Sequence, residues 1–427
     1  MSQFSLTHDR PITLQSCLPK LFEGLVVNIL SPTLDSLIVP EQHGFLKGKS
    51  TLTNLLIYEN YIIEAFNKKL QVDAIYTDFS KAFDFVNIKL LLHKLYLFGF
   101  RDPLLSWLAS FLQNRCLRVK YMNFFSATYD ALSGVPQGSH FGPKLFLLFI
   151  NDISAELTVL FSILADDLKI YLEIKDSRDC IIMQENLNKI SEWSITNNMN
   201  LNISKCKCIS FSRYEDKIIY DYKLNDISLE RVSTIRDLGI IFDEYMHFGI
   251  HIETIKNKAL KMLGFICRNT NSFMNPYSLL ILYKSFVRSH LEYLSVIWSP
   301  YIGYLSDTLE RIQNKFKRIL TYRFGNENIL DDLPNLSTRR HQTDMITLYN
   351  IIHGVINSPE LLSHIQFHVP SYPIRNIPVF DIKKSETNYY LNLPLNRMQR
   401  NANNLEVDIF FTNKKELRKL NFNQSYF

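Results

Sequence analysis

Two acidic segments set among apolar residues constrain the fold of this chain more than any other feature of its sequence. Asp78 ends one predominantly apolar run, and Asp166 and Asp167 separate two more. Apolar runs of this length predict buried strands, and the last two predict a β-hairpin with both aspartates at its tip. Carboxylates gathered at strand ends repel one another unless a cation offsets their charge. The pattern therefore predicts a sheet that binds divalent metal ions, because such ions prefer oxygen ligands.

The remaining pattern predicts helices packed on one side of an antiparallel sheet, which is an α+β fold. From residue 248 onward the pattern is almost wholly helical. Lys256, Lys258 and Lys261 make one of these helices basic, which suits contact with a nucleic-acid backbone, although a solvated charged face is the alternative. The predicted strands are 72–77, 116–121, 159–164, 168–174 and 207–212, and the predicted helices are 18–30, 51–69, 90–98, 104–112, 142–153, 177–198 and 338–356.

Bulk properties limit the classes of function. A chain of 427 residues with 46% hydrophobic residues can bury a large core and form two or more lobes. A net charge of +5 and a pI of about 8.7 mildly favour polyanionic partners. The 6 cysteines lack the spacing of a disulfide scaffold or a zinc finger, which predicts a reducing, intracellular compartment. Residues 1–10 lack an apolar signal core and no apolar run is long enough to span a membrane, so we expect a soluble protein.

A tight loop lies between the two acidic segments and completes the pattern. It contains Pro136, Gln137 and Gly138, and proline with glycine forces a sharp turn there. In this order, the segments closely resemble the reverse transcriptases of non-LTR (LINE-like) retrotransposons, particularly the jockey-like elements of animals, from about residue 10 to about residue 325. The residues that carry the resemblance are 10–14, 18–23, 41–45, 48–51, 76–84, 134–139, 164–167, 201–202, 205, 237–240, 243, 282–284, 287–289 and 298–300.

The resemblance implies a right-hand polymerase with α-rich fingers, a palm built on the antiparallel sheet and a helical thumb. It implies an RNA-directed DNA polymerase that extends a DNA 3′-hydroxyl on an RNA template. Its partners would be the RNA template, the DNA primer and deoxynucleoside triphosphates, and its cofactors two Mg²⁺ ions, for which Mn²⁺ can substitute. The implied domains are the fingers (1–72), the palm (73–245, so that the whole reverse transcriptase domain covers about 1–245), the thumb (246–325) and a helical C-terminal extension and tail (326–427).

The same resemblance implies the metal-binding and catalytic residues. Asp78 and Asp166 would bridge both ions, and Asp167 would complete the set of carboxylates. The ions would lower the pKa of the primer hydroxyl and stabilise the leaving pyrophosphate. Lys205 matches a lysine that can protonate the pyrophosphate, although a solvated surface lysine is the alternative.

Further residues match positions that bind the nucleotide or the primer. Arg10 would clamp the triphosphate, and Phe83 would lie under the sugar and exclude a 2′-hydroxyl. Gln137 and Gly138 would face the incoming nucleotide and the templating base, and Leu238–Gly239 would position the primer end. A structural alternative stands beside the first three roles: a surface arginine, a core phenylalanine, and a turn that only shapes the loop.

The sequence also departs from the family pattern. Leu164 replaces the aromatic residue that usually precedes the hairpin aspartates. Lys144 falls on a helix where an apolar residue is usual, and a buried lysine needs a carboxylate partner or a path to solvent. No endonuclease domain precedes the polymerase segment and no terminal Cys-His knuckle follows it, which predicts a truncated open reading frame. The alternative functions are a catalytically attenuated or inactive remnant that only binds nucleic acid, and another palm polymerase such as a group II intron maturase or a telomerase-like enzyme.

Overall fold

The computed structural model describes residues 12–325, 333–369, 378–382, 387–405 and 407–420. These residues form two compact units. The first contains the residues up to 50, 73–208 and 218–231, and the second contains 51–72, 209–217 and 232 onward. Each unit is thus assembled from separate stretches of the chain, whereas the predicted fingers, palm, thumb and extension are consecutive. Their boundaries at residues 72, 245 and 325 stay a prediction.

The sheet that carries the acidic segments is built around a strand buried on both sides. The strands are β1 (Gln71–Thr77), β2 (Arg115–Leu117), β3 (Lys120–Tyr121), β4 (Phe124–Phe125), β5 (Tyr129–Ala131), β6 (Leu160–Leu164), β7 (Asp167–Ile174), β8 (Lys207–Phe211), β9 (Lys223–Leu224), β10 (Ile227–Ser228), β11 (Glu230–Arg231), β12 (Thr234–Asp237) and β13 (Ile240–Asp243). The central sheet has the order β11-β8-β1-β7-β6. Strands β6 and β7 are antiparallel, but the short edge strand β11 is parallel to β8. The predicted α+β class is confirmed, with one parallel pair at the edge of the sheet.

The predicted helices are present, and the first continues seven residues beyond its predicted end, through Pro32 to Leu37. The helices are α1 (Cys17–Leu37), α2 (Thr51–Asn67), α3 (Ala82–Phe85), α4 (Ile88–Leu97), α5 (Leu104–Leu112), α6 (Phe141–Ile150), α7 (Ser177–Thr196), α8 (Gly249–Asn269), α9 (Pro276–Leu282), α10 (Ser289–Glu292), α11 (Ser295–Trp298), α12 (Gly303–Phe324), α13 (Leu336–Ile352), α14 (Pro359–Ser363), α15 (Asn388–Leu391), α16 (Pro394–Asn403) and α17 (Lys414–Leu417). A 3₁₀ segment (Asn151–Glu156) follows α6, and a π-helical turn (Tyr283–Arg288) follows α9.

The hairpin of the second acidic segment differs by one residue from its prediction. Leu164 pairs with Asp167 across β6 and β7, so the two-residue turn is Ala165–Asp166. Asp167 is therefore the first residue of β7 and not part of the tip. Ala165 has a φ of 58°, in the left-handed region that alanine seldom adopts. The position of the turn therefore depends on contacts that stabilise Ala165 in this conformation.

The predicted strand 116–121 is interrupted. β2 pairs with β5 and β3 pairs with β4, so two short antiparallel ladders replace one strand. Alternation of side chains does not reveal the break, because both pieces keep the spacing of a strand. Tyr121, Phe124 and Phe125 in the second ladder are exposed.

The core of the first unit lies around α6. Residues 145–150 are almost completely buried, which confirms the predicted packed helix. Phe149 of this helix contacts Trp193 of α7 edge-on, with ring centroids 6.4 Å apart. Trp193 in turn contacts Phe79, the residue after Asp78, at 6.0 Å. The aromatic chain fixes the end of β1 to the helical layer.

The second unit is mainly helical. α8 buries Ile255, Leu263 and Ile266, while Lys258 and Lys261 are exposed. Among the helices that the structure describes, none is both long enough and apolar enough to cross a bilayer.

Candidate active site

The two acidic segments lie on neighbouring strands of the central sheet. β1 and β7 are adjacent, and Asp78 directly follows β1 while Asp167 begins β7. The hydroxyl of Thr77 donates a hydrogen bond of 3.0 Å to the carbonyl of Leu168, which ties the two strand ends together. The structure therefore brings Asp78, Asp166 and Asp167 to the same end of two adjacent strands.

Asp78 has an oxygen with an unusual environment. Its Oδ2 is buried, and no described residue aligns a hydrogen-bond donor with it. The Nζ of Lys205 lies 3.2 Å from this oxygen, within the distance of an ion pair, although the lysine side chain is 64% exposed. The backbone brings Lys205 there, because the N–H of Asn202 donates to the carbonyl of Asp78 at 2.7 Å. A buried carboxylate oxygen without an aligned donor is an acceptor that a cation can satisfy.

The residues present fit a divalent cation in their chemistry. Asp78, Asp166 and Asp167 supply the oxygen ligands that hard cations prefer, and the Oδ2 of Asp78, which Lys205 approaches without an aligned hydrogen bond, can act as a ligand atom. Within the described residues, however, His, Cys, Asp and Glu side chains do not form a preassembled group of three at metal-binding distance. The arrangement is thus a set of suitable ligands on adjacent strands and not a closed metal cage.

Phe83 follows Asp78 closely in the sequence and belongs to a partly buried aromatic group. Its ring stacks on Phe146 of α6 with centroids 4.3 Å apart and planes at 16°. It also contacts Phe45 edge-on at 6.3 Å. The core role considered for Phe83 is therefore present, and a contact of its remaining surface with a sugar is compatible with it.

The Pro-Gln-Gly loop is bonded directly to the segment that follows Asp78. The N–H of Val135 donates to the carbonyl of Phe83 at 2.9 Å, and Nε2 of Gln137 donates to Oδ1 of Asp84 at 2.8 Å. Gly134 has a φ of +84°, and a Cβ at this position would lie 2.8 Å from the carbonyl oxygen of Asp84. A larger residue cannot occupy this position without moving the loop, so the glycine sets how closely the loop approaches.

A cleft of about 750 Å³ opens beside this loop. It is lined by Gln137, by Asp84 and by three cationic residues of the neighbouring segment 115–120, Arg115, Arg118 and Lys120. Arg115 donates to the carbonyl of Gly134 at 2.5 Å, and burial lowers its pKa from the ordinary value. These cations were not identified from the sequence, because their spacing is that of an ordinary strand with polar residues. Arg10, the predicted triphosphate clamp, lies outside the described residues.

Lys144 has the carboxylate partner that the sequence required. Its Nζ pairs with Asp35 of α1 and donates to the carbonyl of Phe45 at 2.9 Å. The side chain is 12% exposed, so the ammonium is largely removed from water but is held by the carboxylate of Asp35 and the carbonyl of Phe45. Lys144 is therefore a structural connection between α1, α6 and the loop 41–45.

Leu238 and Gly239 form the turn between β12 and β13 in the second unit. Asp237 pairs with Ile240, and both turn residues have left-handed backbones, with φ of 47° and 93°. The hydroxyl of Tyr293 donates to the carbonyl of Leu238 at 3.1 Å, and a Cβ on Gly239 would meet the tyrosine ring at 3.0 Å. The predicted turn is present, while its role at the primer end stays a prediction.

Sequence comparison decides the family. The model of the family "Reverse transcriptase (RNA-dependent DNA polymerase)" matches residues 5–267. This chain belongs to the reverse transcriptase family. Members of this family generally use divalent metal ions, which agrees with the carboxylates on β1 and β7.

Relatives of this chain are proteins of mobile elements. It is 25% identical over 327 residues to the probable RNA-directed DNA polymerase from transposon X-element of Drosophila melanogaster, covering 73% of this chain and 35% of that protein. It is 29% identical over 265 residues to the RNA-directed DNA polymerase from mobile element jockey of Drosophila funebris, covering 58% and 28%. The chain thus spans about a third of the length of the curated relatives it matches. The predicted resemblance to jockey-type retrotransposon reverse transcriptases is confirmed.

A solved structure of apo telomerase from Candida tropicalis is also similar. It shares 12% identity, with a TM-score of 0.42 and coverage of 79% of this chain and 54% of that one. This similarity is too distant to support the assignment of any residue.

Proposed function

We propose that this chain is an RNA-directed DNA polymerase of a non-LTR retrotransposon, which extends a DNA 3′-hydroxyl on an RNA template. The observation that carries the proposal is the buried Oδ2 of Asp78, which Lys205 approaches to 3.2 Å without an aligned hydrogen bond. Asp78 directly follows β1, and Asp167 begins the neighbouring strand β7. A structural aspartate would be expected to have such an oxygen satisfied. Membership of the reverse transcriptase family supports the reaction class.

Asp78, Asp166 and Asp167 would hold two Mg²⁺ ions, for which Mn²⁺ can substitute. When bound, the ions would lower the pKa of the primer hydroxyl and offset the charge of the leaving pyrophosphate. Lys205 offsets part of the charge of Asp78, and because its side chain is 64% exposed it would be able to turn towards an anionic leaving group. It would supply the proton that the pyrophosphate takes up.

The nucleotide would lie between the aspartates and the Pro-Gln-Gly loop. Phe83 is held by its stack on Phe146. The part of the ring that stays exposed would therefore not move aside for a 2′-hydroxyl. Gln137 borders the cleft and its hydrogen bond to Asp84 fixes the amide there, while Gly138 is the next residue of the same loop. Arg115, Arg118 and Lys120 would offset phosphate charge along the same cleft. Arg10 and the Leu238–Gly239 turn keep the roles that the family resemblance implies.

The RNA template and DNA primer are the proposed partners. The exposed lysines of α8 suit a backbone of phosphates, because such contacts release counterions. Binding should therefore weaken as salt rises. Leu164 pairs in register with Asp167, so the replacement of the usual aromatic residue leaves the hairpin formed, and no observation favours the inactive remnant.

The proposal is tested by primer extension on poly(rA)/oligo(dT) with Mg²⁺ and deoxythymidine triphosphate. We expect extension that depends on the divalent ion and is lost in Asp78→Asn. The control is Asp226→Asn, because Asp226 is an exposed turn residue with φ of 62°, which asparagine also tolerates. A protein that binds the template–primer duplex with salt dependence but adds no nucleotide would instead be the non-catalytic remnant.

A further inference from the structure

The loop 41–45, hereafter the Gln42 loop, lies along the outer side of the hairpin that carries Asp166. The N–H of Ile163 donates to the carbonyl of Glu41 at 3.0 Å, and the N–H of His43 donates to the carbonyl of Ile163 at 2.8 Å. Gln42 and Ile163 thereby form a parallel β-bridge. Because β6 is the edge strand of the sheet, the loop occupies hydrogen-bonding groups that would otherwise be open.

The side chain of Gln42 binds the turn itself. It is 1% exposed, its Oε1 accepts from the N–H of Ala165 at 2.9 Å, and its Nε2 donates to the carbonyl of Ala165 at 3.3 Å. The same Oε1 accepts from the N–H of Gly44 at 2.7 Å. One amide thus holds both polar backbone groups of Ala165, the left-handed residue whose carbonyl belongs to the peptide bond with Asp166.

Gly44 allows this contact to form. A Cβ on Gly44 would lie 2.5 Å from the backbone nitrogen of Ala165 and 3.1 Å from its Cα. Both neighbours are backbone atoms, so they cannot move aside as the end of a flexible side chain could. The close approach of the Gln42 loop to this single residue therefore requires glycine.

The Gln42 loop is anchored on its other side and contains no cationic side chain near pH 7. The carbonyl of Phe45 accepts from Lys144, which is paired with Asp35. Burial, with a further contribution from nearby Lys49 and Lys169, lowers the pKa of His43 to about 3, so this residue is neutral near pH 7. The Gln42 loop therefore acts on the turn through position and hydrogen bonds, and not through a cation.

We propose that Gln42 is a positioning residue for metal-dependent nucleotidyl transfer. Its amide fixes the peptide between Ala165 and Asp166, and through it the direction in which the Asp166 carboxylate is presented. The inference rests on the proposed function, since it takes Asp166 as a ligand of the divalent ion. Residues that orient metal ligands from outside the ligand set commonly change metal affinity when they are replaced.

The test replaces Gln42 by methionine, which keeps the length of the side chain and removes its three hydrogen bonds. Mn²⁺ binding to the protein is measured from the loss of the free-ion electron paramagnetic resonance signal, and primer extension is titrated with Mg²⁺. We expect the Mn²⁺ dissociation constant and the half-saturating Mg²⁺ concentration to rise on the order of tenfold. Extension should recover at high Mg²⁺, and the amide of Ala165 should exchange faster with deuterium.

The matched control is Asn186→Leu, which removes another buried amide from the same unit. Asn186 is 1% exposed and accepts from the N–H of Thr158 at 2.7 Å, ahead of the other end of β6. This variant should lose stability but keep the metal dependence of the parent. Gln42→Glu keeps the acceptor oxygen for the N–H groups of Ala165 and Gly44 but loses the donor to the carbonyl of Ala165. It serves if the methionine variant does not fold. An intermediate shift is expected for it.

Equal Mn²⁺ affinity and equal half-saturating Mg²⁺ in the parent and both Gln42 variants would overturn the inference. That outcome differs from a failure of the proposed function. If Asp166 were not a metal ligand, Asp166→Asn would bind Mn²⁺ as the parent does, whatever the Gln42 variants did.

Discussion

Two two-residue β-turns in this chain both contain left-handed backbone conformations, but different contacts stabilise them. Ala165–Asp166 joins β6 to β7 in the first unit, and Leu238–Gly239 joins β12 to β13 in the second. Ala165 has a φ of 58°, and Leu238 has a φ of 47°. Each turn therefore contains a non-glycine residue in a strained conformation.

The two turns differ in what holds them. The first is clamped by the buried amide of Gln42, which binds both backbone groups of Ala165. The second contains a glycine of its own and is contacted by the hydroxyl of Tyr293, a residue that is 48% exposed. A turn with glycine can form largely from local preference, whereas a turn with alanine depends on a partner far away in the chain. The first turn carries Asp166, so the distant partner also determines where that carboxylate lies.

The largest difference in stability is expected between two glycine substitutions, one in the Gln42 loop against the first turn and one within the second turn. Gly44→Ala places a Cβ against the backbone of Ala165 and should cost about 2–3 kcal/mol in the free energy of unfolding. Gly239→Ala meets only the ring of Tyr293, which can move, and should cost about 1–2 kcal/mol for its left-handed backbone. Urea unfolding of both variants checks the order. A larger cost for Gly239→Ala would mean that the first turn shifts to accommodate the added Cβ, and that the Gln42 loop does not hold it in place.

A smaller loss is expected from Lys144→Met, which removes the outer anchor of the Gln42 loop. The carboxylate of Asp35 and the carbonyl of Phe45 lose their partner, and we expect a loss of about 1–3 kcal/mol. Replacing an unpaired, inward-pointing lysine by an apolar residue would instead stabilise the protein. The pairing with Asp35 therefore reverses the expected sign of the stability change. Lys207→Met, which breaks the more exposed pair with Glu230, is the control and should cost less than about 1 kcal/mol. A raised melting temperature for Lys144→Met would show that the pair with Asp35 does not form in solution.

The smallest effect is expected from Tyr293→Phe at the second turn. It removes one hydrogen bond to the carbonyl of Leu238, which is worth about 0.5–1 kcal/mol near the surface. Thermal unfolding measures the change, and the Mg²⁺ dependence of primer extension should stay that of the parent. A shift in Mg²⁺ dependence as large as that of Gln42→Met would remove the distinction between the two turns.

Local patterns in the sequence predicted the elements, and contacts between distant residues account for the differences. The apolar runs identified β1, β6 and β7 because apolar residues predominate in buried strands, although Asp73 in β1 and Lys169 in β7 are also buried. The predicted tip of the hairpin, Asp166–Asp167, is one residue too late. The prediction followed the two polar residues, whereas the pairing of Leu164 with Asp167 makes Ala165–Asp166 the turn. Sequence position cannot show that Gln42 reaches Ala165 or that Asp35 pairs with Lys144, because these contacts form only on folding.

The acidic segments could be found from the sequence, but their surroundings could not. Asp78 and Asp166 stand out because carboxylates are rare between apolar strands. The family resemblance included the Gln42 loop without giving its residues a role, and the geometry shows the reason in the bonds to Ala165. The cations Arg115, Arg118 and Lys120 can be recognised only in the folded chain, where the segment of the two short ladders places them along the cleft.

Primer extension by Asp166→Asn beside Asp226→Asn tests the central claim most directly. The turn held by Gln42 presents Asp166 as a metal ligand, so replacing its anionic oxygen should reduce Mg²⁺-dependent extension on the order of 10³-fold. The melting temperature should change little, and Asp226→Asn should extend as the parent does. If the parent protein extends the primer and Asp166→Asn extends it equally well, the turn has no part in the chemistry and the account is wrong.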